Sequence, residues 1–331
     1  MNPQSIQSSY LQCASCGASE FSLVFEANDF DTGNESFSLY RCPSCKLVHT
    51  SPMLTDSELS SYYKPQYYGK GKQKFSSLIE KWTISSNLRL AGSIAKQLKI
   101  RSAKIERSPR VLDIGCGRGN LLKAFSRLGF ECYGVERAEF PDLSIEKDIK
   151  IYKGSLEEAK FDDRFFDVVI LWHVLEHLSN PAHIISEIYR VMDSHGILII
   201  AVPNFGSFQS RLFKKFWFHL DLPRHLYHFE NESLNNLLIS NNFKTVSVGT
   251  RSIDQSIFGF IQSSLNALKL FAPNSFYEQL KLPLLKRKIS FYVQLVLSVL
   301  ITPFAAIDYI LSALASRGSC LIVTTRKILS D

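Results

Sequence analysis

The middle of the chain alternates short apolar runs, which have the length of strands, with amphipathic segments of helical spacing. Near-continuous apolar runs of this length are typical of parallel strands buried on both faces, with helices covering those faces. We therefore predict an α/β, doubly wound, Rossmann-like sheet. The predicted strands start at 109 and cover 131–136, 149–153, 166–172, 197–202, 244–249 and 319–326, and the predicted helices cover 76–100, 120–127, 140–146 and a segment from Pro181 to a stop at Gly196.

A long insertion, 254–317, separates the last two predicted strands and contains an uncharged stretch from Ile289 to Ile307. A membrane-spanning helix needs about 20 apolar residues, so this stretch is almost long enough to cross a bilayer. Pro303 interrupts it, however, and the strand that follows must return to the same sheet, which a single crossing would prevent. We predict a helical hairpin, either a buried cap or a shallow membrane-contact surface at 281–316 edged by the basic run 286–288.

A shorter insertion, 205–230, is aromatic and basic and leaves the carboxyl end of the fifth predicted strand. Ligands bind open α/β sheets at the carboxyl ends of their strands, so the segment is a candidate lid over the substrate. The alternative is an ordinary amphipathic segment whose aromatic side chains belong to the core. Within it, Arg224 is suited to hold an anionic group of a substrate, and His225 follows it directly.

Four of the seven cysteines form two Cys-x-x-Cys pairs near the N-terminus, Cys13 with Cys16 and Cys42 with Cys45. Two such pairs match a zinc site with four thiolate ligands. Two disulfides, which a reducing compartment disfavours, and a redox role are the alternatives. We predict a structural Zn²⁺ ribbon over 1–66, a helical connector over 67–108 and a main domain over 109–331.

The chain has 331 residues, a net charge of +7 and no basic-then-apolar leader at its N-terminus. We therefore expect a cytoplasmic protein. The modest positive charge permits an anionic substrate or a membrane surface as a partner. The sequence contains no arginine-rich tract or compact basic-aromatic motif, so a nucleic-acid partner is not expected.

The sharpest local motif is Val-Leu-Asp-Ile-Gly-Cys-Gly-Arg-Gly-Asn at 111–120. An apolar strand that carries Asp113 breaks at three alternating glycines, and a helical pattern follows at once. Glycines at such a turn let a ligand approach the backbone closely. The Gly-x-Gly-x-Gly spacing, with Glu136 at the end of the next strand, suits a ligand with a ribose and a cationic amino-acid end rather than a pyrophosphate.

These residues, together with the His-Val-Leu-Glu-His run at 173–177, resemble the class I S-adenosylmethionine-dependent methyltransferases. The resemblance implies a seven-stranded sheet whose last strand is antiparallel, and S-adenosylmethionine as the cofactor. It also implies that Glu136 binds the ribose hydroxyls, while Ser155 stands where many relatives have an acid that binds the adenine. The residues that it implies for cofactor binding are Asp113, Gly115, Cys116, Gly117, Gly119, Glu136, Ser155, Leu156 and Trp172.

Three histidines are candidates for a general base, because histidine titrates near neutral pH: His173, His177 and His225. The zinc-binding segment narrows the resemblance to a bacterial subgroup that includes sugar methyltransferases and enzymes of polysaccharide biosynthesis. We therefore expect a small-molecule acceptor, a sugar or a sugar-linked intermediate. Two alternatives stay open: methylation of a lipid or quinone intermediate at a membrane surface, and a non-catalytic binding protein on the same scaffold.

Overall fold

The computed structural model describes residues 12–30, 35–63, 77–99, 107–137 and 148–329. The predicted helix at 140–146 and the predicted boundary at 66 lie outside these ranges. The strands of the described part are β1 (Ser22–Asn28), β2 (Ser36–Arg41), β3 (Val48–Ser51), β4 (Arg110–Ile114), β5 (Glu131–Glu136), β6 (Ile149–Lys153), β7 (Phe166–Trp172), β8 (Met192–Pro203), β9 (Tyr227–His228), β10 (Phe243–Gly249) and β11 (Cys320–Lys327). Its helices are α1 (Asp56–Ser60), α2 (Ser77–Lys99), α3 (Asn120–Ser126), α4 (Pro181–Val191), α5 (Phe208–Phe213), α6 (Asn231–Ser240), α7 (Ile253–Leu268), α8 (Ser275–Leu280) and α9 (Ile289–Leu314).

Seven of these strands form the main sheet, in the order β10-β11-β8-β7-β4-β5-β6. The strands from β4 to β8 pair in parallel, whereas β11 is antiparallel to both of its neighbours, β8 and β10. The predicted doubly wound sheet with an antiparallel last strand is therefore confirmed. The strand order reverses between β4 and β7, and in open α/β sheets ligands bind in the crevice at the carboxyl ends of the strands at such a point.

Alternate side chains of the parallel strands face two separate cores, one on each face of the sheet. Leu112 of β4 and Val169 of β7 belong to one core, which α4 and α6 cover. Their chain neighbours Val111 and Val168 belong to the other, which α2 and α3 cover. Burying one such side chain completely stabilises the fold by about 1.5–3 kcal/mol, so both faces of the apolar strands contribute.

Helix α4 begins as the sequence predicts but ends earlier. The side chain of Asn180 caps it by accepting a hydrogen bond from the backbone N–H of His183 at 3.1 Å, and Pro181 occupies the first turn. We expected the helix to stop at Gly196, but it ends at Val191 and β8 starts at Met192. The reason is that Met192 already pairs with the first residue of β7 and is buried there.

A second, four-stranded antiparallel sheet forms the ribbon, in the order β1-β2-β3-β9. Its last strand, β9, comes from the insertion at 205–230. The same insertion supplies Trp217 and Leu220, both fully buried, to the core beneath the ribbon, where they join Phe37 and Leu39. These side chains therefore fit the second interpretation of the insertion, in which its aromatic residues belong to the core.

The insertion at 254–317 is helical, as the hydrophobic pattern predicts. Helix α7 packs against α9, and α8 also contacts α9, around a small apolar core that includes Leu265 and Phe291. We expected Pro303 to interrupt the apolar stretch, but α9 continues through it. A proline inside a helix removes one backbone hydrogen bond, and the helix on both sides is held by its own bonds, including one from the Thr302 hydroxyl to the Ser298 carbonyl oxygen at 2.7 Å.

Candidate functional site

The glycine loop joins the end of β4 to the start of α3. Gly115, Gly117 and Gly119 have φ angles of +68°, +52° and +65°, which L side chains rarely adopt. A Cβ atom on Gly115 would also lie 2.5 Å from a methyl carbon of Val174, which follows β7. The three glycines are therefore needed at these positions, and the loop lies against the segment that leaves β7.

Glu136 ends β5 beside this loop. Its carboxylate oxygen Oε2 accepts a hydrogen bond from the backbone N–H of Gly117 at 2.8 Å. Asp113, near the end of β4, is 3 % exposed, and burial together with the charge of Glu136 raises its pKa to about 8. Two acidic groups thus share one end of the crevice, an arrangement that favours a ligand carrying a cationic group.

Three other residues predicted to bind the cofactor have side chains that are buried or engaged within the protein. The side chain of Cys116 is buried against Gly134 of β5, and burial raises the pKa of its thiol. Leu156 is 2 % exposed and its side chain belongs to a sheet core. Ser155 caps its own turn, because its hydroxyl accepts the backbone N–H of Glu158 at 3.3 Å. Trp172, half-buried at the end of β7, packs against the core that α2 and α3 cover.

A cluster of polar side chains follows β7 directly. His173 has a left-handed φ of +55°, and its Nδ1 lies 3.5 Å from a carboxylate oxygen of Glu176. Glu176 is 1 % exposed, and neither of its carboxylate oxygens has a hydrogen-bond partner within the described residues. The rings of His177 and His225 lie 4.6 Å apart between centroids. The structure therefore brings all three predicted histidines close to one buried carboxylate.

Both rings of this pair are held by backbone carbonyl groups. The Nδ1 atom of His177 lies 2.9 Å from the carbonyl oxygen of Arg224, and Nδ1 of His225 lies 3.0 Å from that of His219. The Tyr63 hydroxyl is 3.1 Å from the same nitrogen of His177. A carbonyl oxygen only accepts, so Nδ1 carries a proton in both rings.

The electrostatics separate the candidate bases. Burial opposes a charge on His173, but the neighbouring Cys320 and Glu176 outweigh it and raise its pKa to about 10. Burial lowers the pKa of His225 to about 4. At neutral pH the imidazole of His173 is therefore charged and cannot accept a proton, whereas that of His225 is neutral.

Arg224 does not fill the role that the sequence suggested. Its guanidinium pairs with both carboxylate oxygens of Asp221 and donates to the carbonyl oxygen of Tyr62 at 3.0 Å. The side chain is buried, and Asp221 neutralises its charge. The expectation that Arg224 binds a substrate anion is therefore wrong, because an internal carboxylate already occupies it.

Sequence reasoning missed Glu176 and Asp221. The first could have been found, because an acid directly precedes His177 in the run that leaves β7. The second could also have been found, because it precedes Arg224 by three positions and His225 by four.

The four N-terminal cysteines converge on one point. Their sulfur atoms all lie within 4.8 Å of one another, and none of the four forms a disulfide. The two knuckles match: Gly17 and Lys46 both have left-handed φ angles, and their N–H groups bond back to the carbonyl oxygens of Cys13 and Cys42. His49 adds an imidazole nitrogen 3.3 Å from the sulfur of Cys13. This donor set fits a closed tetrahedral Zn²⁺ site with a supporting histidine.

Comparison with known proteins agrees with this architecture. Residues 87–248 match a family model described as a methyltransferase domain. A ubiquinone biosynthesis O-methyltransferase of Pelagibacter ubique is 33 % identical over 119 residues, which cover 34 % of this chain and 50 % of that protein. A ubiquinone/menaquinone biosynthesis C-methyltransferase of Vibrio vulnificus is 26 % identical over 199 residues, 54 % of this chain and 76 % of that protein.

A solved structure of a SAM-dependent methyltransferase from Archaeoglobus fulgidus is 20 % identical, with a TM-score of 0.45, and the alignment covers 73 % of this chain and 94 % of that chain. The chain spans about half the length of the Pelagibacter relative.

Proposed function

We propose that this chain uses the methyltransferase domain at 87–248 to move a methyl group from S-adenosylmethionine to a small-molecule acceptor. The observation that carries the proposal is the glycine loop with its two acids, Asp113 and Glu136, which opens beside the histidine cluster through the contact of Gly115 with Val174. The cofactor would supply an activated methyl group on a positively charged sulfur. Its binding residues and the acceptor residues then lie side by side at the carboxyl edge of the sheet.

The roles of the residues follow from their chemistry. Asp113 suits the ammonium group of the cofactor, because a cation beside it favours its charged form. Glu136 suits the ribose hydroxyls, since a carboxylate accepts hydrogen bonds from both. The cluster of Glu176, His177 and His225 is placed to bind the acceptor beside the cofactor. Holding the cofactor and the acceptor in the correct orientation contributes most to the rate. Such positioning can lower an activation barrier by roughly 7–11 kcal/mol in favourable cases.

The acceptor class follows from the exposed surface of the helical insertion. Among the described helices, α9 is the one whose length and apolar composition would let it cross a membrane. Its outward face is apolar and open, with Val296, Val299 and Phe304 each more than 60 % exposed. Its one acid, Asp308, faces inward and accepts a hydrogen bond from Gln209 at 2.7 Å. An apolar surface of this kind marks an interaction site.

We propose that this surface rests on a membrane. Helix α9 packs on α7, and β11, which follows α9, returns to the main sheet. Both ends of α9 therefore lie on the same side of the membrane as the sheet. The exposed Lys286 and Lys288 precede the helix and suit anionic headgroups. The acceptor is then a lipid or lipid-linked molecule at the cytoplasmic face, and a sugar carried on a lipid fits it equally. Relatives named for ubiquinone biosynthesis agree with a lipid class of acceptor.

Titration calorimetry with S-adenosylmethionine tests the enzyme against a non-catalytic binding protein. We expect wild type to bind, and Glu136→Ala to bind at least about 10-fold more weakly, because a charge-assisted hydrogen bond contributes about 1.5–3 kcal/mol. Glu131→Ala is the matched control, since Glu131 starts the same strand and lies at its far end. Equal affinity in wild type and Glu136→Ala, or no binding by either, would contradict the proposal.

Methyl transfer identifies the acceptor class. Wild type is incubated with methyl-labelled S-adenosylmethionine and either a membrane-lipid extract or a water-soluble small-molecule extract. We expect label in the lipid extract. Label in the soluble extract alone would leave the methyl-transfer proposal standing and overturn the lipid class in favour of a soluble acceptor such as a sugar.

A further inference from the structure

We propose that Glu176, His177 and His225 form a binding site for one divalent transition-metal ion, separate from the four cysteines. One ligand atom from each of the three residues lies within 4.8 Å of the other two. Two imidazoles and one carboxylate are a recurring set of three protein ligands, which leaves positions open for water or substrate. The three residues come from two distant parts of the chain, the segment after β7 and the insertion at 205–230.

The buried carboxylate is the first reason. Glu176 is 1 % exposed, and its two oxygens lack a hydrogen-bond partner among the residues that the structure describes. The imidazole of His173 faces Oε1 across 3.5 Å, and Oε2 is the oxygen left without a partner among the described residues. A buried charge without hydrogen bonds is costly unless it is paired or coordinates a metal.

The orientation of the two imidazoles is the second reason. Each ring donates its Nδ1 proton to a backbone carbonyl oxygen, that of Arg224 for His177 and that of His219 for His225. This is the arrangement that supports metal-bound histidines, because it fixes the tautomer and leaves Nε2 as the ligand atom.

The surrounding charges also permit a cation. Arg224, the nearest buried arginine, is already paired with Asp221. Asp221 has a carboxylate oxygen 3.8 Å from Nε2 of His225, so it adds negative charge to the same region. The cluster therefore contains two buried acids, Asp221 paired with Arg224 and Glu176 facing His173.

The chemical role of this ion rests on the proposed function, although its binding does not. The acceptor hydroxyl would bind the open position, where a metal lowers the pKa of a coordinated oxygen. The hydroxyl proton leaves to solvent, the oxygen forms a bond to the methyl carbon, and the carbon–sulfur bond breaks. Its electron pair stays on sulfur, so the products are a methyl ether and S-adenosylhomocysteine. The acceptor nucleophile is accordingly an oxygen.

The test uses Co²⁺ and the full chain, with the cysteine site first filled with Zn²⁺. We expect wild type to bind one Co²⁺ per chain by calorimetry, with visible absorption of an N/O-ligated ion and without the intense near-ultraviolet band of cobalt–thiolate bonds. The exposed His183 lies outside the cluster, and His183→Gln should bind like wild type. Glu176→Gln and His177→Gln should each bind at least about 10-fold more weakly.

The outcomes are separable. If wild type binds no Co²⁺ at an N/O site, or if both variants bind as tightly as wild type, the metal site is refuted. Should the buried Glu176→Gln fail to fold by circular dichroism, the half-buried His177→Gln decides the question. Binding of S-adenosylmethionine to the wild type is measured in parallel, so loss of the metal site and failure of the proposed methyl transfer give different results.

Discussion

At the scale of single residues, Asp113 links the stability of the protein to its ligand. Its carboxyl group is almost fully buried, and burial with the charge of Glu136 raises its pKa to about 8, far above the ordinary value near 4. At neutral pH the group therefore keeps its proton in the ligand-free protein. A cationic ligand group beside it would favour the charged form, so binding and ionisation support each other.

This pKa predicts a pH dependence of stability. Between about pH 4 and pH 8 the unfolded chain loses the Asp113 proton while the folded protein keeps it, so stability falls as pH rises, by up to about 1.4 kcal/mol per pH unit from this group. We expect Asp113→Asn to reduce this fall when urea unfolding is measured at about pH 5 and about pH 8. The exposed Asp162→Asn serves as the control. Identical pH slopes in Asp113→Asn and wild type would rule out the buried neutral acid.

At the scale of elements, the ribbon is completed by distant parts of the chain. Its fourth strand, β9, and the buried Trp217 come from the insertion at 205–230. Three of its cysteines, together with Leu47, also belong to the core on one face of the main sheet. A loss of metal from the ribbon should therefore weaken the main domain as well.

Metal analysis of the purified protein should find one Zn²⁺ per chain in the ribbon. We expect Cys42→Ser to lose this ion and to lower the melting temperature by several degrees, because 1 kcal/mol corresponds to about 2–4 °C in a domain of this size. Cys132→Ala provides a comparison, since Cys132 is equally buried but lies in β5. The Cys132→Ala variant should weaken the packing around β5 but keep the zinc. Full zinc content in Cys42→Ser would show that the four sulfurs are not the ligands.

At the scale of the whole molecule, one insertion joins the apolar face of α9 to the edge of the sheet where the candidate site lies. Helix α5, which belongs to the insertion at 205–230, contacts both α7 and α9. The same insertion carries His225 into the cluster beside Glu176. A lipid acceptor in a membrane under α9 would therefore lie near the insertion that carries His225 into the cluster.

Vesicle flotation tests the membrane surface. We expect wild type to float with vesicles of phosphatidylcholine and phosphatidylglycerol. Lys286→Ala with Lys288→Ala should weaken partitioning about 30-fold, since each basic residue near an anionic surface contributes about 1 kcal/mol. Val296→Glu with Val299→Glu should abolish it, because both side chains are exposed on α9. Val246→Glu, exposed on β10, is the control. Wild type that stays at the bottom of the gradient, or a glutamate pair that still floats, would exclude this surface.

By itself, the sequence determined the parts of this protein that depend on neighbours along the chain. Strand periodicity predicted the parallel sheet, and the glycine spacing predicted the loop whose left-handed φ angles the structure shows. The spacing of the cysteine pairs predicted that four sulfurs meet. Each of these follows from local geometry, because side-chain alternation, backbone sterics and tight knuckles act over a few residues.

Only the tertiary structure decided the rest. It buried Arg224 against the carbonyl oxygen of Tyr62, closed the ribbon with β9 and placed His225 against His177. It also showed that the apolar face of α9 stays open instead of forming a buried cap. These features join residues that are far apart in the chain, such as His177 and Arg224, whose contact spans 47 positions. Their partners depend on how the elements pack, and packing is set by the whole fold and not by any local pattern.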